Sequence, residues 1–289
     1  TGVTSFLFIL ALLFTLSVPN GAQAGDAKPA THFLGIGVCP PWKPQSQDVC
    51  QNSVEAVANA LKKRLGLDDK NTSLLINQYA TTEGVRTKLA ELAKLLGPAD
   101  RLIIYAALHA EPLNPIQPAR AENDLLVLWS EEKPDTSQTA ISSKVWLTAH
   151  DFASLVHAVN AGQLFVMVDA CESGAISPLF IHAHPDNKPV RPSAVVTSAQ
   201  IRDMANFSQD RTISLFSKHL AASLEAPEKT LFHSVKRAMA NTRQAAIPIC
   251  AAKNLKRFET GAITLPCRQK PTLHDPDDLL SKIALQKAE

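Results

Sequence analysis

Hydrophobic positions along this chain follow two patterns that take turns. Short runs of nearly continuous apolar residues are typical of strands that are buried on both faces of a sheet. The sequence has such runs at 32–37, 73–77, 101–108, 163–168 and 193–199. Turn-forming residues or segments of a different periodicity separate them. We therefore expect these runs to be the strands of one mostly parallel sheet.

Between these runs, apolar residues recur at helical spacing. One stripe lies within 53–67, and a second contains Val85, Leu89 and Leu92 before the chain reaches Gly97-Pro98. Thr148 followed by Asp151 predicts a capped helix start. Strands that alternate with helices predict an α/β domain with helices on both faces of the mostly parallel sheet.

Two stretches depart from this rhythm. Residues 111–143 and 172–192 contain four prolines each, and each stretch directly follows a predicted strand. Long irregular connections in a compact domain are usually binding loops or lids. We expect both to border a binding site.

The first 24 residues predict a targeting segment. Positions 6–18 are apolar except for Thr15 and Ser17, a run shorter than the roughly 20 residues of a membrane span. The run is followed by Ala22-Gln23-Ala24, the small-x-small pattern of a signal-peptidase site. We expect a signal peptide at 1–24, its basic start missing from this sequence, and a secreted or periplasmic protein without stable membrane insertion. A retained membrane anchor or a core segment is the alternative.

Composition narrows the function classes. Of 289 residues, 45% are hydrophobic, which is enough for a sizeable core, so a disordered chain is excluded. The 29 basic residues nearly balance 27 acidic ones, and aromatic residues make up only 6%. Without a basic run or a stacking surface, we expect no nucleic-acid partner.

The five cysteines allow a simple pairing. Cys39 and Cys50 flank one short segment, and Cys250 and Cys267 flank another. Local pairing would use four cysteines and leave Cys171 as a free thiol. Four cysteines allow three pairings, so the connectivity stays a prediction.

Two predicted strands end on reactive side chains. The third delivers His109, and the fourth delivers Asp169-Ala170-Cys171. The carboxyl ends of parallel strands share one edge of the sheet, where ligands usually bind. An imidazole beside a thiol serves nucleophilic catalysis: it holds the thiol ionised and later protonates the leaving amine.

The chain resembles the caspase/metacaspase-like cysteine peptidases of the bacterial, exported type. The resemblance rests on the strand ending in His109 and on "DACESG" around Cys171, 62 residues further on. Other segments are similar to family segments in the same order; they are "FLGIG", "YATTEGVRTKLAEL", "RPSAVVTSAQ", "SLFSKHLAASL" and "RQKPTL". We expect a peptidase domain at 25–273 and a C-terminal tail at 274–289.

The resemblance implies a role for each of five residues. Cys171 would be the nucleophile and His109 the general acid/base. Asp169 would hold the arginine or lysine side chain that precedes the cleaved bond, with Glu55 as the candidate second acid of that pocket. The backbone N–H of Ala110 would face the oxyanion. The partner would be a peptide or protein substrate, and no cofactor is expected; calcium activation is a property of the family for which this sequence has no motif.

The residues around the histidine depart from the family. Gly-His-Gly is replaced by Leu108-His109-Ala110, and Ala adopts a positive φ less readily than Gly. Losing one oxyanion donor costs roughly 100-fold in rate, and Leu108 is expected to crowd the crevice. Two alternatives therefore stay open: a catalytically weak or inactive caspase-fold protein that binds peptides or proteins, and a different hydrolase or transferase with the same dyad. We expect no metal site, because His182, His184 and Asp186 have no Cys or Glu at ligand spacing.

Overall fold

The computed structural model describes residues 30–112, 124–181, 191–260 and 267–287, so the predicted signal peptide lies outside the described residues. The strands are β1 (Thr31–Val38), β2 (Thr72–Ile76), β3 (Arg101–Pro112), β4 (Asp124–Val127), β5 (Leu147–Thr148), β6 (Gln163–Asp169), β7 (Ser193–Thr197) and β8 (Thr272–His274). The helices are α1 (Gln47–Leu65), α2 (Thr82–Leu95), α3 (Ser137–Ser142), α4 (Ala149–His157), α5 (Ser177–Ile181), α6 (Leu215–Glu225) and α7 (Leu231–Thr260).

Five parallel strands form the centre of one sheet. Their order is β2-β1-β3-β6-β7, and β8 adds an antiparallel strand at the β7 edge. Beyond the parallel region, β3 continues to Pro112 and pairs antiparallel with β4, which in turn pairs with β5. The predicted α/β class with a mostly parallel sheet is confirmed.

Helices cover both faces because side chains alternate along each buried strand. In β1, Leu34 and Ile36 join a core cluster with residues of α2, α4 and α5. Phe33, the residue before Leu34, joins the opposite cluster, to which α1, α6 and α7 contribute. The stripe predicted within 53–67 belongs to α1, where Val54 and Leu61 are fully buried. Burying one such side chain stabilises the fold by about 1.5–3 kcal/mol.

The two proline-rich stretches contain more regular structure than the sequence suggests. In the first, the end of β3, β4 and α3 account for just over half of the described residues, and Leu125 and Val127 pack with Trp146, which follows the stretch, in a small core of their own. In the second, α5 lies directly after the turn that follows β6. Residues 113–123 and 182–190 of these stretches lie outside the described part. The expectation of long irregular loops was wrong for the described parts that form β4, α3 and α5, because apolar residues of these elements pack against a core.

The stretch after residue 273 packs on the domain. Leu279, Leu280 and Ile283 are buried at 0–2% exposure in the cluster that contains α1, α6 and α7. The predicted C-terminal tail, 274–289, therefore contains residues that are packed into the core of the domain.

The buried guanidinium of Arg64 fastens this stretch to the domain. It is 1% exposed and donates to four backbone carbonyls. The acceptors are those of Leu224 and Glu228, both at 2.6 Å, of Gln286 at 2.8 Å, and of Ala226. These bonds connect the end of α1, the segment after α6 and the C-terminal stretch.

The cysteines pair locally, as predicted. Cys39 is bonded to Cys50 with a Cα separation of 5.5 Å, and Cys250 to Cys267 with one of 5.0 Å. Both separations fall within the range that disulfides require. Cys171 is free.

Candidate active site

The strand register brings the histidine and the free cysteine to one cleft. Ala107 of β3 lies opposite Asp169 of β6 in the parallel ladder. His109 and Cys171 each come two residues later, so the chain delivers them at the same height on neighbouring strands. Together with Asp169 they line a cleft of about 240 Å³. The predicted convergence at the carboxyl edge is therefore present.

The turn after β6 explains the rest of the "DACESG" motif. Glu172 has a φ of +56°, a left-handed conformation that non-glycine residues adopt rarely. Its N–H donates to the carbonyl of Asp203, which fixes the turn. At Gly174 a Cβ atom would lie 2.9 Å from backbone atoms of Gln200 and Ile201, so only glycine fits. The turn is thus built to hold Cys171 at the strand end.

Burial sets the protonation of the dyad. It lowers the pKa of His109 to about 4, with a smaller contribution from the Lys43 ammonium. Burial also shifts the Cys171 thiol, whose pKa it raises. A weak hydrogen bond from the thiol to the carbonyl of Ala205, at 3.9 Å, lowers this pKa by a smaller amount. At neutral pH both groups are uncharged. The thiolate–imidazolium pair expected from the sequence is therefore not the resting state, because neither charge is solvated well enough in this cleft.

Asp169 is buried at the cleft with its two oxygens in unequal surroundings. Oδ2 accepts hydrogen bonds from the hydroxyls of Tyr105 at 2.9 Å, Ser217 at 2.7 Å and Ser214. Oδ1 is buried and has no hydrogen-bond partner among the described residues. A buried polar atom without a partner is rare in proteins and calls for an explanation. Here the unpaired acceptor belongs to a residue that lines the cleft, which makes it a candidate contact for a donor group of a ligand.

The predicted second acid of the pocket, Glu55, does not line the cleft. Glu55 lies on α1, accepts a bond from Gln51 at 2.9 Å and is not among the residues that line the cleft. Ser53, half a turn earlier, lines it instead. The resemblance assigned Glu55 by its position along the first helix, which does not tell which helix face borders the cleft.

The glycine replacements around His109 cause no strain. Ala110 lies in β3 opposite Leu126 and is not among the residues with a positive φ, so the strain expected from replacing Gly does not arise. Leu108 is 6% exposed; it packs into the core and also forms part of the cleft wall.

Sequence reasoning missed several residues of this site. Lys253 of α7 donates to the Oδ1 of Asn206 at 2.7 Å, and both residues line the cleft. Ser46 contacts the ring of His109 at 3.1 Å. The only available signal was Ser214, which reads as a helix cap and does cap α6 through the N–H of Ser217. No pattern announced the others, since they lie in loops or on a helix far from Cys171 in the chain.

A second, larger groove of about 550 Å³ lies beside the Cys250–Cys267 disulfide and is lined by Arg243, Arg268 and Lys270. It holds no nucleophile with a base beside it, so we place the chemistry in the smaller cleft. Within the described ranges, no three or more His, Cys, Asp or Glu side chains converge to hold a metal ion. Nor does any helix in the described ranges have the length and apolarity needed to cross a membrane.

Comparison with known proteins shows the fold. No protein-family model matches the sequence, and no curated protein matches it. Among solved structures, caspase-1 from Spodoptera frugiperda is similar with a TM-score of 0.51 and 13% identity, over 86% of this chain and 90% of that one. A structural-genomics protein from Geobacter sulfurreducens is similar with a TM-score of 0.53 and 13% identity, over 87% and 97%.

These similarities and the sheet topology define a protein with a caspase-like fold. An identity of 13% speaks for the fold alone.

Proposed function

We propose that this protein is an exported cysteine endopeptidase that hydrolyses peptide bonds after arginine or lysine. The observation that carries the proposal is one cleft that holds a free thiol, an imidazole and a buried carboxylate oxygen without a partner. The first two groups suit acyl transfer. The third suits the cation of a basic side chain.

Substrate recognition comes first in this mechanism. A guanidinium or ammonium group of the substrate donates to Oδ1 of Asp169, while the three hydroxyls on Oδ2 keep the carboxylate in place. A basic side chain anchored there positions the following carbonyl for Cys171. Charge-assisted hydrogen bonds are roughly twice as strong as neutral ones, so this contact selects basic residues over apolar ones of the same length.

Acyl transfer then follows with balanced proton movements. His109 accepts the thiol proton as the sulfur of Cys171 attacks the carbonyl carbon, which leaves a tetrahedral oxyanion beside the N–H of Ala110. Collapse breaks the C–N bond, and His109 returns the proton to the leaving amine. Water then attacks the thioester with His109 as base, which frees the acid product and the Cys171 thiol. Because the resting pair is neutral, proton transfer accompanies the attack rather than preceding it.

Two features support the exported setting. Both disulfides belong to the chemistry of an oxidising compartment. The apolar segment at 6–18 with Ala22-Gln23-Ala24 behind it fits a cleaved signal peptide. Peptides or proteins are the proposed partners, and the near balance of charge argues against nucleic acid.

One observation favours a second candidate, a peptide-binding protein without turnover. The bonds that His109 makes go to Ser46 and Cys39 rather than to Cys171, and both dyad members are neutral. In that case the cleft would bind basic peptides through Asp169 and release them intact.

Hydrolysis of short fluorogenic peptides distinguishes the two candidates. We expect the purified protein to cleave after Arg and Lys but not after Asp or Leu, and Cys171→Ala to lose at least 1,000-fold of that activity, as happens when a nucleophile is removed. Ser143→Ala, an exposed change outside the cleft, is the matched control. Binding of basic peptides without any turnover by the unaltered protein would establish the second candidate instead.

A further inference from the structure

The ring nitrogen Nε2 of His109 has two partners, and neither is Cys171. The hydroxyl of Ser46 lies 3.1 Å away, and the Sγ of Cys39 lies 3.8 Å away. Which of these atoms carries the proton decides which ring nitrogen is free to act as a base, because a neutral imidazole has one N–H and one lone pair.

Only one assignment of protons satisfies all of these contacts together. The carbonyl of Lys43 lies 3.1 Å from the Ser46 hydroxyl and can only accept its single proton. Cys39 belongs to the disulfide with Cys50, so its sulfur carries no proton at all. When Ser46 donates to Lys43, its oxygen and the Cys39 sulfur can only accept from Nε2, and we assign the proton of the ring to that nitrogen. The lone pair of neutral His109 then lies on Nδ1.

We propose that Ser46 is a positioning residue that holds His109 in the Nε2–H tautomer, so that Nδ1 is the nitrogen that takes the proton of Cys171. The catalytic part of this inference rests on the proposed peptidase function. Ser46 itself is not the nucleophile, since its side chain is 4% exposed and its proton is already donated.

The local structure shows that Ser46 is committed to this task. Ser46 stands at the N-cap of α1, where a serine side chain normally bonds a free N–H of the first turn and stabilises the helix by about 1 kcal/mol. Here it makes no capping bond. The hydroxyl faces His109 and Lys43 instead, so a common stabilising contact is given up for a bond to the base.

The loop that carries Ser46 is held from several sides. The Cys39–Cys50 disulfide closes it, and the N–H of Lys43 donates to the carbonyl of Pro40 at 2.9 Å. The ammonium of Lys43 pairs with Glu111 at 3.0 Å, close to His109 on the same strand. The acceptor for the Ser46 proton is thereby fixed, and with it the tautomer of the ring.

The test is nitrogen NMR of ¹⁵N-histidine-labelled protein without substrate, with His109 assigned by its loss in His109→Gln. At pH 7 we expect the unaltered protein to show a protonated Nε2 and an unprotonated Nδ1. Ser46→Ala is expected to add a detectable Nδ1–H population, and Ser46→Thr, which keeps the hydroxyl, to restore the single tautomer. An Nδ1–H tautomer in the unaltered protein would overturn the inference, and so would identical spectra for the protein and Ser46→Ala.

Kinetics separate this inference from the proposed function. If the protein is a peptidase, Ser46→Ala should lower kcat roughly 10- to 100-fold, as loss of a group that orients a functional histidine does elsewhere, with KM unchanged and Thr restoring activity. An equal loss in Ser46→Ala and Ser46→Thr would contradict a positioning role. If no hydrolysis is found while the tautomer shifts as expected, the peptidase proposal fails and the assignment of the tautomer stands.

Discussion

Two buried charges of this protein differ in how completely they are satisfied. The guanidinium of Arg64 donates to four backbone carbonyls without any acidic partner. The carboxylate of Asp169 crowds three hydroxyl donors onto one oxygen and leaves the other without a partner. Both side chains are at most 4% exposed, so water compensates neither of them.

The difference separates a structural group from a functional one. Fixing the chain ends to the core requires that Arg64 use its donors within the fold, and it does so. Asp169, by contrast, leaves its Oδ1 without a donor among the described residues, and it lines a cleft that also contains Cys171. An unpaired buried charge costs several kcal/mol unless a ligand pairs with it. We interpret the free oxygen as the binding point of a basic side chain.

Of the changes that test this comparison, removing the charge of Asp169 is expected to have the largest effect. Asp169→Asn keeps the shape and an oxygen that can accept from the hydroxyls, but the substrate cation loses its partner. Breaking a buried pair costs about 3–5 kcal/mol, so kcat/KM for an arginyl peptide should fall by roughly two to three orders of magnitude. Steady-state kinetics on arginyl and norleucyl peptides measures this.

The norleucyl peptide is the internal control, because it cannot use the carboxylate and should be affected much less. Asp135→Asn, at an exposed position, serves as the matched variant. Equal losses on both peptides would mean that Asp169 supports the fold rather than specificity.

Arg64 should show the opposite behaviour. Arg64→Met removes four hydrogen bonds and leaves buried carbonyls without donors, so we expect a loss of about 3 kcal/mol in the free energy of unfolding, measured in urea. The ratio of arginyl to norleucyl cleavage by the folded fraction should stay as it was. Lys236→Met, which changes an exposed cation of α7, is the control. If Arg64→Met were as stable as this control, the hydrogen bonds of Arg64 would not be what fastens the C-terminal stretch to the domain.

The smallest of these effects concerns pH. Because the pKa of His109 is lowered to about 4, its base form persists in mildly acidic solution, and kcat/KM should stay level from pH 7 to 5 on this account. Below pH 4 the rate should fall about tenfold per unit. The unfolded histidine titrates near 6.5, so the stability that neutral His109 contributes is lost as the pH falls from there towards 4. An acid limb near pH 6.5 would show that the ring is solvated.

Much of the scaffold could be predicted from the sequence because its signals are local. Buried parallel strands appear in the sequence as apolar runs. The carboxyl ends of such strands share one edge of the sheet, and this rule alone predicts that His109 and Cys171 lie close together. The two disulfides join cysteines that are only 11 and 17 residues apart, so pairing each cysteine with its neighbour in the sequence predicted both bonds.

What the sequence missed depends on contacts between distant parts of the chain. Arg64 bonds backbone carbonyls, which every residue type offers, so no pattern marks its partners. Ser46 stands at the N-cap of α1 without a capping bond, and only the folded loop places its hydroxyl at His109. The neutral resting state of the dyad follows from burial in the cleft, a quantity that residue types alone do not supply.

The central claim is that Cys171 attacks carbonyl groups presented by a basic residue held at Asp169. Reaction with an arginyl chloromethyl ketone tests it most directly, followed by peptide mapping by mass spectrometry. The account predicts one adduct per molecule, located on Cys171. The adduct should form much more slowly in the Asp169→Asn variant and in the His109→Ala variant than in the unaltered protein. No adduct on Cys171, or labelling at the same rate by an aspartyl or leucyl analogue, would contradict it.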